Sequence, residues 1–181
     1  MSARFSRALV VAAMVALGAC TATYQERTTG GTEASAVKLD PARNVMVAIP
    51  ADGAYDGKSY RGTGQLVAQN TSAAFSRYAR KVQLGPAGVH ELEPLLVSAR
   101  AANADYLAIP SISHWEQRAT EWSGIPSRVT LTLAIVDVRT GKELHSSLLE
   151  SQSAIMTLVR PHADTLAQRL IDDNVTGLYQ R

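Results

Sequence analysis

Residues 128–138, RVTLTLAIVDV, constrain the fold more than any other stretch of the chain. Val129, Leu131, Leu133 and Ile135 alternate with Thr130, Thr132 and Ala134, the period of a strand with one face in a core. Arg139-Thr140-Gly141 reads as a three-residue hairpin loop, with Gly141 in the left-handed conformation of a bulged turn. The returning strand is KELHSSLLESQSA, with His145 facing solvent.

The remaining elements are placed around this hairpin. From Asn44, VMVAIP is an apolar, β-branched run of the length of a buried strand, and the glycine-dotted ADGAYDGKSYRGTG after it reads as a loop. Thr63 is the expected N-cap of a helix carrying Val67, Ala74, Phe75, Tyr78 and Val82 on one side. A short strand follows over residues 81–84. The next helix is expected over about residues 90–103, with Leu92, Leu95, Leu96 and Ala99 inward and Pro94 tolerated in its first turn. Asp105 opens a third strand, DYLAIPSISHWEQ, in which Pro110 marks a bulge or an edge. Pro161 starts a closing helix with Leu166, Leu170, Ile171, Val175 and Leu178 as its apolar stripe. The order is β-α-β-α-β-β-β-α. It predicts a single α/β domain, a mixed sheet of about five strands covered by about three helices.

The chain opens MSARFSRALVVAAMVALGAC and contains one cysteine, Cys20. Arg4 and Arg7 precede an apolar run of about ten residues, half the length that crosses a bilayer, so residues 1–19 read as a cleavable export signal. Its last residues, Leu17-Gly18-Ala19-Cys20, resemble the lipobox of bacterial lipoproteins. That resemblance implies cleavage before Cys20, a diacylglyceryl group on its thiol and acylation of the new amine. Membrane lipid is then the first partner. Thr21 stands where an aspartate retains many lipoproteins in the inner membrane, and the same resemblance points to the outer membrane, facing the periplasm. Residues 20–43, rich in Thr, Gly, Ser and Ala, read as a flexible tether, and 44–181 as the periplasmic domain.

Removing the leader also removes the apparent basic charge. Of the 18 Lys and Arg residues, Arg4 and Arg7 leave with it, so 16 remain to face 16 Asp and Glu. With no clustered basic face, nucleic acid is not an expected partner. A single cysteine allows no disulfide within the chain, so stability rests on an ordinary core.

Chemistry has few handles. Gly53-Ala-Tyr-Asp-Gly57-Lys58-Ser59 imitates a phosphate-binding loop but has three residues, not four, between its first glycine and Gly-Lys-Ser, and the helix begins too late. His90, His114, His145 and His162 have no metal-ligand spacing, and no nucleophile elbow is present, so neither a metal, a cofactor nor a catalytic residue is expected. The distinctive cluster is His114, Trp115, Glu116 and Arg118 followed by Glu121 and Trp122, which gathers both tryptophans with charged residues at the end of a strand. Trp and Arg dominate interface hot spots, while a tryptophan also closes the rim of a core. The segment is the candidate binding surface, with a tryptophan-capped hairpin end as the alternative.

The lipobox, the stretch ADYLAIPSISHWEQRATEWSGIPSRVTLTLAIVDVRTGKEL and the final helix ending in GLY resemble a family of bacterial lipoproteins described only as a domain of unknown function. More loosely, the element order resembles the TolB amino-terminal domain and curli-secretion-type lipoproteins. These resemblances imply a location and a fold, not a mechanism. The expected function is a non-enzymatic binding or structural component of the cell envelope, with a periplasmic or outer-membrane protein as its further partner. The alternatives are an accessory subunit of an export or transport assembly and, third, a hydrolase.

Overall fold

The structure, a computed structural model, describes the backbone of residues 23–28 and all of residues 37–117, 126–153 and 162–180. In chain order its elements are β1 (Thr23–Thr28), β2 (Asn44–Val47), β3 (Gly53–Tyr55), β4 (Lys58–Tyr60), α1 (Thr63–Phe75), β5 (Lys81–Leu84), α2 (Leu92–Ala101), β6 (Tyr106–Glu116), β7 (Arg128–Asp137), β8 (Glu143–Gln152) and α3 (Ala163–Gln180). The main sheet runs β1-β8-β7-β6-β2-β5, with β3 and β4 as a separate pair. β2 lies parallel to both β5 and β6, and the other pairings are antiparallel. The predicted α/β order of five strands and three helices is present, with β1 added at one edge.

β2 explains why VMVAIP is apolar throughout. The connections β2-α1-β5 and β5-α2-β6 run in opposite directions, and crossovers of one hand then place their helices on opposite faces. Val45 and Val47 join one core with Val67, Phe75, Leu133, Leu166 and Leu170, beneath α1 and α3. Met46 and Ala48 join the other with Leu95, Leu96, Ala99, Leu107 and Val136, beneath α2. The stripe predicted for α3 is buried at all five positions. Tyr179 of α3 stacks on Tyr78 at 5.0 Å, which clamps the ends of α1 and α3 together.

Several expectations need correction. Residues 37–43 are not a tether: Leu39 is buried in the core, and its N–H donates to the Leu178 carbonyl at 2.9 Å. Residues 23–28 also lie in the expected tether, yet they form β1 and pair with β8 from Thr23↔Gln152 to Thr28↔Ser147. The segment carries Thr and Tyr, good strand formers, and it covers what would otherwise be an open edge. The helix cap is Gly62, Thr63 is the first helical residue and Phe75 the last, so Tyr78 lies just beyond α1 and Val82 lies in β5. Leu92, expected inward, is 42% exposed at the start of α2, although Pro94 does sit in the first turn. Pro110 is tolerated because β2 stops pairing with β6 at Ala108, leaving that flank of β6 free of ladder bonds.

His145 is the most instructive of these corrections. It is 5% exposed, on the core face opposite Ile135. The hairpin pairs Val136 with Glu143, and simple alternation then puts Leu144 opposite Ile135 and His145 outside. A bulge at this point inserts one residue, so His145 takes the inward position. The loop itself holds four residues, 138–141, closed by Asp137 N–H to the Lys142 carbonyl and Gly141 N–H to the Asp137 carbonyl.

Asp137 also fastens this loop through its side chain. Its carboxylate accepts the Thr140 N–H at 2.7 Å and the Thr140 hydroxyl at 2.8 Å, and these bonds hold its pKa below the ordinary 3.8. A depressed carboxylate pKa contributes stability above the unfolded value, and that contribution disappears as pH falls through the folded one. Acid titration of unfolding free energy below pH 3.8 should therefore be less steep for Asp137→Asn than for wild type.

Candidate functional site

The predicted surface residues fall where strand geometry requires. In β6 successive side chains point to opposite faces, so His114, Trp115 and Glu116 cannot share one. His114 and Glu116 lie on the face away from α1 and α3, with Nε2 of His114 3.2 Å from Oε2 of Glu116. Trp115 points the other way and is 1% exposed, packed in the α1/α3 core. Its assignment to a binding surface is corrected on that ground, and the core-rim alternative describes it better. Arg118, Glu121 and Trp122 lie outside the described residues, as does Cys20.

The β3–β4 hairpin walls this end of β6. Asp56 and Gly57 have φ of 49° and 72°, the double left-handed geometry of a type I′ turn, for which Asp-Gly is a preferred pair. Asp56-Gly57 was the available signal, hidden in what reads as a phosphate-loop imitation. Tyr55 sets its ring 4.5 Å from the His114 ring, and Gly53 lies directly on Trp115, where a Cβ would come within 2.6 Å of the tryptophan Cβ.

Asp52 accounts for the failure of this loop as a phosphate site. Its carboxylate accepts the Gly62 N–H at 3.0 Å and the Gly64 N–H at 2.8 Å. A carboxylate thus already occupies the positive N-terminus of α1, the place a phosphate would take. Replacing this cap, Asp52→Ala, should cost about 1–2 kcal/mol in urea unfolding, and Asp52→Asn less because an amide oxygen still accepts.

Two concavities lie elsewhere. One, of about 220 Å³, opens beyond the carboxyl end of β2, between Pro50, His90, Leu95 and Ile109. Its place is that of ligand crevices in open α/β sheets, but it is smaller than the roughly 300–1,000 Å³ of typical ligand pockets. The other, of about 460 Å³, lies at the opposite end among Arg43, Arg100, Asp105 and Arg139. There Arg43 pairs with Asp105 at 3.0 Å, and Arg100 Nε donates to the Val138 carbonyl at 3.2 Å. The Arg100 bond ties α2 to the β7–β8 turn, and the Arg43–Asp105 pair joins the starts of β2 and β6.

Among the described residues, no group of three His, Cys, Asp or Glu is placed to hold a metal ion. His114 meets the Tyr55 ring on one side and the Glu116 carboxylate at 3.2 Å on another, an arrangement that orients its imidazole. His162 is exposed before α3, with its carbonyl accepting the Leu166 N–H at 3.1 Å, so it opens the helix.

The described core begins at Val37, and so does the match to a family profile, that of domain of unknown function DUF4823, over residues 37–175. The chain belongs to the DUF4823 family. Among curated proteins, none matches this DUF4823 chain. Among solved structures, the PelC dodecamer from Paraburkholderia phytofirmans resembles it with a TM-score of 0.67 at 18% identity, covering 88% of this chain and 99% of PelC. The lipoprotein GNA1162 from Neisseria meningitidis is a weaker likeness, with a TM-score of 0.44 at 16% identity over 75% of this chain and 96% of its own. At such identity PelC and the DUF4823 chain share a fold.

What that fold leaves open is a sheet face. α2 covers only the flank built on Met46, Ala48, Leu107 and Val136. Beyond it, the same face of β6, β7 and β8 presents Ser111, Thr130, Thr132, Ala134, Ser146 and Leu148, exposed or half-buried, with no described helix across them. Sequence alternation identified Thr130, Thr132 and Ala134 as the outer side of β7, but not that three strands would join in one surface.

Proposed function

We propose that the protein is a lipoprotein of the bacterial cell envelope, anchored through acylated Cys20 to the outer membrane. Its domain faces the periplasm and works by binding rather than catalysis. Leu17-Gly18-Ala19-Cys20 after a short apolar run supports the anchor. No described helix is long and apolar enough to cross a membrane, so among the described residues no helical span competes with it. The observation that carries the binding role is the open β6–β7–β8 face. It is rich in Ser and Thr and bordered by His114 and Glu116. Arg118, Glu121 and Trp122 follow Glu116 in sequence and extend the same proposal.

The occupant proposed for that face is another copy of the chain, in an envelope assembly of the kind that serves export or transport. PelC, which has this fold, is a dodecamer, and that favours self-assembly over capture of a small ligand. Native mass measurement of the mature chain lacking the acyl groups tests this. Wild type should form a discrete oligomer, and Thr132→Arg, which puts a charge in the middle of the face, should be monomeric with unchanged stability. A monomeric wild type at micromolar concentration would sink the self-assembly reading.

A further inference from the structure

We infer that one end of the sheet, where β6 and β8 finish and β7 begins, lies against the lipid headgroups of the membrane. The inference rests on the reading of Cys20 as the acylated residue. β1 runs antiparallel to β8, and its first residue, Thr23, sits opposite Gln152. Gln152 is opposite Arg128, which is opposite Glu116, so one row crosses the sheet at this end. Only Thr21 and Ala22 separate Cys20 from that row. Three residue steps span at most about 11 Å, whatever their conformation. The β7–β8 turn is ten residues farther along β8, roughly 33 Å away. The anchor therefore reaches one end of the sheet and cannot reach the other. A tether running to residue 43 would leave the orientation free, whereas the pairing of β1 removes that freedom.

The chemistry of the described residues at this end suits headgroups. Arg128 and His162 are exposed there, beside the amides of Gln117 and Gln152. An arginine and amide donors match phosphodiester oxygens, and among the described residues the row itself consists of Thr23, Gln152, Arg128 and Glu116, all polar. The occupant is accordingly the bilayer surface.

The lone cysteine makes the test direct, because acylation consumes Cys20 and leaves any introduced cysteine as the single free thiol. Full-length acylated protein carrying Arg128→Cys or Arg139→Cys, each labelled with a small fluorophore, is reconstituted into phosphatidylethanolamine and phosphatidylglycerol vesicles containing headgroup-spin-labelled lipid. Quenching should be several-fold stronger at position 128 than at 139. Ten Gly and Ser residues inserted between Ala22 and Thr23 should abolish the difference. Equal quenching at the two positions, stronger quenching at 139, or a difference that survives the insertion would overturn the inference. Intact mass of the same samples separates the two claims. Absent acyl mass sinks the lipoprotein reading, while confirmed acylation with equal quenching sinks only the orientation.

Discussion

Trp115→Ala should lower the free energy of unfolding by about 3–5 kcal/mol, the range for removing a large aromatic from a core. Trp115 is 1% exposed and packs with Val129 and Leu131 in the α1/α3 core. The β3 backbone at Gly53 also approaches its side chain, where a Cβ would stand 2.6 Å from the tryptophan Cβ and 3.2 Å from its Cγ; alanine keeps the first of these atoms, so the loss falls mainly on the core. Against a net stability of about 5–15 kcal/mol for a domain, this is a large fraction. Urea unfolding followed by circular dichroism measures it, and Trp115→Phe, which keeps an aromatic ring, should lose much less. A surface tryptophan would behave differently, with a change within about 0.5 kcal/mol. The experiment thus decides whether Trp115 belongs to the core or to an interface.

Gly64→Ala should be of comparable severity for a different reason. A Cβ at position 64 would stand 2.2 Å from the carbonyl oxygen of Pro50 and 3.2 Å from Oδ1 of Asp52. The first of these atoms is backbone and cannot rotate aside, so residues 50–52 must move. That movement breaks the Asp52 bonds to Gly62 and Gly64, both charge-assisted. Strain and lost bonds together should cost about 3 kcal/mol in urea unfolding. Gly57→Ala is the appropriate comparison, because nothing lies within 4 Å of a Cβ there and the penalty is only that of a left-handed backbone, about 1 kcal/mol. Equal losses in the two variants would remove the role assigned to the Pro50–Gly64 contact.

These two residues also show which parts of the fold were legible before the structure. β7, β2 and α3 bury enough side chains at a regular period that pattern alone locates them. β1 has no such signature, because an edge strand is held by one row of backbone bonds and its composition resembles a linker. The β3–β4 hairpin has three-residue strands, too short for a period, and Asp56-Gly57 was its one clear signal. His145 was misplaced because a bulge reverses the parity of alternation, and no propensity announces a bulge. Trp115 was misplaced for a different reason. Treating His114, Trp115 and Glu116 as one face overlooked the alternation that had correctly assigned β7, and it left the open face of β6, β7 and β8 unseen. That face depends on α2 covering only one flank, a property of topology rather than of any short stretch.

The central claim is that Cys20 anchors the domain to a membrane, and the intact mass of the mature protein tests it most directly. Protein extracted from the membrane fraction of its bacterial host should begin at Cys20 and carry the added mass of a diacylglyceryl group and one further acyl chain. Cys20→Ala should leave a precursor that still contains residues 1–19. A mature chain that begins elsewhere, or that carries an unmodified Cys20, would contradict the account.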